Sequence, residues 1–301
     1  MRPWFPGRGL AYLLRPAGWR SHQGAIRLIA PSMNPIEGRL RAAAAAGDLA
    51  LVVFLVLGYP DPATSLQALE ILRRQGIAVF ELALPSPHGW SPLASGPIID
   101  AHQRAWAAGM RPQEAAAIGA AYRPNLHILY RGTWDDLGLE ALTMLRGACD
   151  GILPEWRGPS AETCQQEARN LGLAGVEALA PALDPSELRG RVERAQGMVY
   201  LTTAESTGGR LFDLPAIAAA LGHIKGCRDI PACCGFGVRT PEDVVRLGGL
   251  FGCDGVIVGT AALEALGAGL DRFERYIASL AQAARGLKRP GRVPVTMSDG
   301  A

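Results

Sequence analysis

Residues 51–84 read LVVFLVLGYPDPATSLQALEILRRQGIAVFELAL and contain the pattern from which the fold is predicted. Two apolar runs, 51–57 and 77–84, stand on either side of a helix-length segment. An Asp-Pro pair at 61–62 marks the start of that segment, and Gly76 stands where a helix C-cap belongs. Continuous apolar runs without alternation are typical of parallel strands buried on both faces. The stretch therefore predicts a strand–helix–strand unit of a parallel sheet.

The same alternation continues along the chain. A second clear helix start is the Thr-Pro pair at 240–241, and Gly248 is the predicted C-cap of that helix. Eight strand–helix pairs in about 250 residues is the number found in a closed barrel. The alternative is a doubly wound open sheet, but no G-x-G-x-x-G follows the first strand. We therefore predict an α/β fold, a single-domain (β/α)8 TIM barrel over residues 33–287. The predicted strands are residues 51–57, 77–84, 125–130, 149–153, 175–180, 197–203, 230–234 and 254–258.

The two ends of the chain differ in composition from the rest. Residues 1–32 contain arginines but no acidic residue, and they follow neither a helical nor a strand period. Such a leader indicates either an organellar transit peptide or translated upstream sequence with the true start at Met33. We expect this extension, and the tail at residues 288–301, to be disordered or loosely packed and to take no part in the chemistry.

Composition and charge exclude several classes of protein. Apolar residues are 49% and charged residues 19% of the 301, which is enough apolar material for a sizeable core. Lys and Arg (30) nearly balance Asp and Glu (28), so neither a nucleic-acid nor a membrane partner is predicted. None of the six cysteines forms a C-x-x-C pair or a zinc-ligand cluster with histidine. We predict a reduced, cytoplasmic protein without a metal or cofactor.

Glycine turns follow the last three predicted strands. In (β/α)8 barrels the active site lies at the carboxyl ends of the strands, and a phosphate is often held after the seventh and eighth. Glycine lets the backbone approach an anion, and a helix N-terminus offers unpaired N–H groups. The pattern favours a phosphate site over glycines that merely form turns. The residues concerned are Gly208, Gly209, Gly235, Gly237, Gly259 and Thr260.

Glu81 is the most informative single residue. It stands in VFELAL near the end of the second predicted strand, with an apolar neighbour on each side. A lone carboxyl group there is expected to have a raised pKa, which suits it to general acid–base catalysis. The alternative is a structural ion pair.

Together these motifs resemble the tryptophan synthase alpha subunit family. The resemblance runs in order from about residue 35 to 280. It implies a TIM barrel that cleaves indole-3-glycerol phosphate by a retro-aldol reaction, giving indole and glyceraldehyde 3-phosphate. It also implies a partner, a pyridoxal-phosphate-dependent beta subunit that receives the indole. The motifs are LGYPDP at 57–62, FEL at 80–82, SPLASGP at 91–97, TGGR at 207–210, GFG at 235–237 and GT at 259–260.

The resemblance implies roles for individual residues. Glu81 is similar in position to the family's catalytic glutamate, which protonates the indole ring carbon, and Tyr200 to an active-site tyrosine on the sixth strand. Thr260 stands where the family usually has a serine in its phosphate site. The substrate-binding residues implied in this way are Tyr130, Gly208, Phe236, Gly237, Gly259 and Thr260.

The departures from the family pattern are equally specific. Ser95 replaces the aspartate that accepts the indole N–H proton, and loss of a general base commonly costs about 10²–10⁴ in rate. His88 lies in a loop about two residues longer than the family's, and either replaces the lost base or is a solvated surface residue. Arg131 is either a rim charge or a contact for an anionic group of an altered substrate. Glu155 replaces an aspartate after the fourth strand. The catalytic candidates are therefore Glu81, Ser95, Tyr200 and His88, and Arg131 and Glu155 join the substrate-binding candidates.

Three functions are compatible with these observations. The first is a carbon–carbon lyase acting on indole-3-glycerol phosphate or a related phosphorylated substrate, which Glu81 and the glycine turns favour. The second is a non-catalytic alpha-like subunit that binds and regulates a beta-like partner, which Ser95 and the altered loop favour. The third is another sugar-phosphate isomerase or aldolase, although no lysine stands at an inner strand end to form a Schiff base.

Overall fold

The computed structural model describes residues 33–87, 94–204, 206–209 and 213–287. The predicted extension (1–32) and tail (288–301) lie outside these residues. The described chain forms a parallel sheet surrounded by helices, as the sequence predicts. The strands are β1 (Ala50–Val56), β2 (Val79–Ala83), β3 (Asn125–Leu129), β4 (Gly151–Pro154), β5 (Ala174–Gly175), β6 (Glu177–Leu179), β7 (Val199–Thr202), β8 (Ala232–Gly235) and β9 (Gly255–Val258). The helices are α1 (Pro35–Ala45), α2 (Pro62–Arg74), α3 (Gly96–Ala107), α4 (Pro112–Gly119), α5 (Arg131–Leu137), α6 (Leu139–Leu145), α7 (Pro159–Asn170), α8 (Pro185–Arg194), α9 (Leu214–Cys227), α10 (Pro241–Gly248), α11 (Thr260–Gly267) and α12 (Leu270–Ala284).

The sheet closes on itself at its fifth barrel strand. The strand order is β5-β4-β3-β2-β1-β9-β8-β7-β6, so β5 and β6 are its two ends. Only Val176 separates them along the chain, and its N–H donates to the carbonyl oxygen of Ile152 at 3.0 Å. The two pieces are therefore one barrel strand that changes partner from β4 to β7. The (β/α)8 TIM barrel is confirmed, each of its eight predicted strands is present, and the open sheet is excluded.

Helix starts and stops follow local chemistry, with one exception. The Asp61 carboxylate accepts the Thr64 N–H at 3.0 Å and begins α2. Gly76, with a φ of 74°, ends that helix in the left-handed conformation. The prediction for Gly248 is wrong by one residue, because Gly248 is the last residue of α10 and Gly249 is its C-cap. A Cβ at Gly248 would come within 2.8 Å of a Leu49 methyl carbon, so the glycine permits close packing of α10.

The core lies inside the barrel and between the barrel and its helices. All seven residues of β1 are buried, as expected for a strand covered on both sides. The six cysteines are free thiols, and five of them are buried. In the part of the chain that the structure describes, no helix is both long and apolar enough to cross a membrane.

Candidate active site

A cavity of about 610 Å³ lies at the carboxyl ends of the strands. We call one side the acidic wall: Glu81 in the middle of β2, and Tyr130 and Glu155, which directly follow β3 and β4. We call the other side the glycine wall: Gly208, Gly237, Gly259 and Thr260, after β7, β8 and β9. Apolar side chains, including Phe54, Ile128, Leu153 and Ile257, line the space between them. The cavity has the composition of a small-molecule site, mainly apolar with a few convergent polar groups.

The alternation of β2 points Glu81 into the barrel. Phe80 stacks edge-on against Tyr122, which follows α4, and Leu82 reaches towards Gly119 of α4, so both neighbours face the helices. Glu81 is only 4% exposed. Its Oε2 atom has no hydrogen-bond partner among the described residues. Burial raises the pKa of this carboxyl to about 8. The described residues offer it no ion pair, so its environment is that of a proton donor near neutral pH.

Two tyrosines share the cavity with Glu81. Tyr200 on β7 fits only because residue 235 is glycine, since a Cβ there would lie 2.5 Å from the Tyr200 hydroxyl. The Tyr200 ring meets Phe236 edge-on at 5.8 Å between ring centres. Burial raises the pKa of Tyr200 well above its usual value, and the charge of Glu81 adds to the shift. Tyr200 therefore stays protonated and can donate a hydrogen bond.

The glycine wall is shaped by backbone conformation and by one hydroxyl group. Phe236 and Gly237 both adopt left-handed conformations, with φ of 72° and 75°. The Thr203 hydroxyl lies 2.8 Å from the carbonyl oxygen of Gly235 and 2.7 Å from that of Phe236. Thr203 is a supporting residue that the sequence analysis missed. The available signal was a hydroxyl residue at the very end of a predicted strand.

The loop after β7 rests on the start of α11. Gly208 has a φ of 73°, and a Cβ there would lie 3.1 Å from the Thr260 methyl group. Thr260 is the first residue of α11, whose N-cap Gly259 has no capping side chain. This arrangement leaves backbone N–H groups at a helix start beside the cavity, which is the chemistry that binds an anion.

Ser95 is tied to the glycine wall. Its N–H donates to the Thr207 hydroxyl at 2.7 Å, and its own hydroxyl lies 2.9 Å from that of Thr260. Its neighbour Ala94 lines the cavity, but Ser95 is not among the described residues that do so. Thr207 is a further contact that the sequence analysis did not single out, although its motif was recognised.

The remaining candidates differ in position. Arg131 begins α5 and its side chain is 65% exposed, with Nε 3.4 Å from Asp135 one turn later. It does not line the cavity among the described residues, so the structure gives it the position of a surface charge. Glu155 does line the cavity, and burial raises the pKa of its carboxyl to about 8. His88 lies outside the described residues.

The fold and site define a closed (β/α)8 barrel with a buried carboxyl group and a set of glycine turns at the carboxyl ends of its strands. Comparison with known proteins identifies the family. The sequence model for "Tryptophan synthase alpha chain" matches residues 40–290, and the chain belongs to this family.

Individual relatives agree over most of the chain. The tryptophan synthase alpha chain of Carboxydothermus hydrogenoformans is 33% identical over 228 residues, which cover 72% of this chain and 84% of the relative. That of Gloeobacter violaceus is 33% identical over 252 residues, covering 80% and 89%. Among solved structures, Mycobacterium tuberculosis tryptophan synthase superposes with a TM-score of 0.75 at 25% identity, covering 84% of this chain and 99% of that one.

Proposed function

We propose that the protein is a carbon–carbon lyase that acts on indole-3-glycerol phosphate or a related phosphorylated substrate. It cleaves the substrate by a retro-aldol reaction to an indole-type product and glyceraldehyde 3-phosphate. One observation carries the proposal: the unpaired, buried carboxyl of Glu81 faces the same cavity as the glycine wall. Membership of the tryptophan synthase alpha chain family supports the lyase class.

In this proposal the glycine wall holds the phosphate. The phosphate oxygens accept hydrogen bonds from backbone N–H groups at Gly237 and at the start of α11. The apolar middle of the cavity takes the aromatic ring. Tyr200 packs beside that ring, in place because Gly235 leaves room for it. This orientation brings the ring to Glu81 on the opposite wall.

Glu81 then acts as the general acid. Because burial raises its pKa to about 8, the carboxyl holds its proton near neutral pH. The proton goes to the ring carbon as the carbon–carbon bond breaks, and that carbon keeps the electron pair of the bond. The hydroxyl group on the other carbon loses its proton and becomes the aldehyde carbonyl.

A second function remains supported by one specific observation. Ser95 stands where the family has a carboxylate, and both of its hydrogen bonds go to residues of the loop after β7 and of α11. This favours a non-catalytic alpha-like subunit that binds and regulates a pyridoxal-phosphate-dependent beta-like partner. The six cysteines are thiols and not disulfides, which suits a reducing compartment, so we place either function in the cytoplasm.

The deciding experiment is a direct assay of indole and aldehyde release from indole-3-glycerol phosphate. The purified chain is measured alone and with a tryptophan synthase beta subunit. The lyase predicts aldehyde release in step with indole, and release of both at least about a hundredfold slower from the Glu81→Gln variant. Absence of release in both conditions, together with a change in the beta subunit's own rate, supports the regulatory subunit.

A further inference from the structure

We propose that Glu155 is a second catalytic residue, the general base that accepts the substrate's hydroxyl proton while Glu81 protonates the ring carbon. The inference rests on the proposed lyase function. In this mechanism the base that acts together with Glu81 is Glu155, which follows β4, and not the residue at position 95.

The backbone places Glu155 beside Tyr130 at the top of the acidic wall. Glu155 directly follows β4, and its N–H donates to the carbonyl oxygen of Leu129 at 3.0 Å. Leu129 pairs with Pro154, so the next residues along, Tyr130 and Glu155, stand at the same level. Both side chains line the cavity that Glu81 faces. Burial raises the pKa of Tyr130 well above its usual value, and the charges of Glu155 and Glu81 add to it in that order. The charges of both carboxyls therefore raise the pKa of the same phenol group, that of Tyr130.

The other carboxyls around the cavity are less suited to this role. Glu177 is buried, but its Oε2 atom is paired with Arg191 Nε at 3.0 Å. Glu162 on α7 and Glu187 on α8 are exposed to solvent. Glu155 has no side-chain hydrogen bond or ion pair within the described residues, so its carboxyl is free to take and release a proton.

The proton balance of the reaction needs one group that gives and one that takes. The ring carbon gains a proton from Glu81 as the carbon–carbon bond breaks. The hydroxyl oxygen loses its proton to Glu155 as the aldehyde forms. The cycle ends with Glu81 ionised and Glu155 protonated, and exchange with water restores the starting state. No oxidant, reductant or further reactant takes part.

The electrostatics allow this starting state. Burial raises the pKa of Glu81 and of Glu155 to about 8, so near that pH one carboxyl is protonated while the other is ionised. Tyr130 stands beside Glu155 on the same wall and Tyr200 on β7 also lines the cavity, and the pKa of each tyrosine lies well above its usual value. Other charged residues also line the cavity: Glu162, Glu177, Glu187, Arg191, Arg194 and Arg239. Arg157, which also lines the cavity, is the nearest cation along the chain.

The experiment compares Glu155→Gln and Glu155→Asp with a matched control, Glu162→Gln, a carboxyl of the same cavity on its exposed side. Each purified variant is assayed for indole release across pH 6–10. We expect Glu155→Gln to lower kcat by about a hundredfold or more, with KM within about threefold. It should also abolish the fall of kcat on the acidic side of the pH profile. Glu155→Asp should retain more kcat than the glutamine variant, and Glu162→Gln should match the parent.

Three results overturn the inference and are distinguishable. A Glu155→Gln variant with the parent's kcat and acidic limb removes Glu155 from the mechanism and leaves the lyase intact. A variant that loses affinity for glycerol 3-phosphate along with kcat shows a structural role. A parent chain that releases no indole at any pH refutes the proposed function, and the inference with it.

Discussion

The glycine wall and the acidic wall of the cavity are built on different principles. The glycine wall depends on backbone: left-handed Gly208 and Gly237, a helix start at Thr260, and a Gly235–Phe236 turn whose carbonyl oxygens lie beside the Thr203 hydroxyl. The acidic wall depends on side chains whose pKa values are set by burial. The departures from the family pattern at Arg131 and Glu155 lie at the ends of the strands of the acidic wall.

The two walls suit two different tasks, phosphate binding and proton transfer. A phosphate needs N–H groups at fixed positions, and any Cβ that intrudes disturbs them. Proton transfer needs only a carboxyl of suitable pKa within reach, which more than one strand can supply. We therefore expect the proposed proton-transfer role to be more easily moved between positions than the proposed phosphate site, and the following substitutions test whether the two walls act independently.

The largest expected effect is on the acidic wall. Glu81→Gln keeps the side-chain shape and removes the titrating group, so kcat for indole release should fall at least about a hundredfold. Affinity for glycerol 3-phosphate, measured by calorimetry, should stay within about twofold because the glycine wall is untouched. Full turnover by this variant would place the chemistry elsewhere.

The raised pKa of Glu81 should also make the free energy of unfolding depend on pH. Glu81 has a usual pKa of 4.5 and a folded pKa of about 8, so its stabilising contribution is present below pH 4.5 and is lost as pH rises to about 8. Glu81→Gln does not titrate there. Its free energy of unfolding relative to the parent should therefore increase by several kcal/mol between pH 4.5 and 8, at about 1.4 kcal/mol per pKa unit. Urea denaturation at both pH values measures this.

Glu70 offers a control, because its pKa is shifted in the opposite direction to that of Glu81. The hydrogen bond from Arg73 lowers the pKa of Glu70, so that carboxylate stabilises the fold above its usual pKa. Glu70→Gln should lose stability relative to the parent as pH rises towards 4.5 and stay level above it, whereas Glu81→Gln gains stability relative to the parent between pH 4.5 and 8. Buried His102 and His127, with pKa values lowered to about 3 by burial, are common to parent and variants and cancel. Equal pH dependence in the two variants would contradict the assignment.

On the glycine wall, Gly237→Asp should lower affinity for glycerol 3-phosphate by about tenfold or more. Two like charges about 4 Å apart repel by about 1–4 kcal/mol, depending on the effective dielectric. The matched control is Gly269→Asp, which also places aspartate at a positive φ, here 116°, with no atom within 4 Å of the new Cβ. Isothermal titration should show a loss only at position 237, and equal losses would mean that backbone strain alone is responsible.

The smallest effect is expected at Ser95. Because its hydroxyl contacts Thr260 at 2.9 Å, Ser95→Asp should place a negative charge at the glycine wall and weaken glycerol 3-phosphate binding about three- to tenfold. Indole release should not increase. Ser95→Ala removes the hydrogen bond without adding charge, and should weaken binding less. If Ser95→Asp increased indole release by an order of magnitude, a carboxylate at position 95 would still act as the general base.

The sequence predicted the barrel well because each strand is a continuous apolar run and helix starts have local signals such as Asp61. It was wrong about Gly248, since a glycine that admits Leu49 looks the same in sequence as one that caps a helix. In the site, Glu81 was identifiable as a carboxyl in an apolar run. The contacts of Ser95 with Thr207 and Thr260 were not, because they join segments more than a hundred residues apart.

Phe236 combines a strained backbone conformation with an aromatic contact, so a substitution at this position affects both. Among the described residues it is the only non-glycine with a positive φ, at a cost of roughly 1–2 kcal/mol that glycine would avoid. Random substitution by glycine would relieve the backbone but remove the ring that meets Tyr200. Phe236→Gly would therefore combine a relaxed backbone with a gap beside Tyr200 in the cavity.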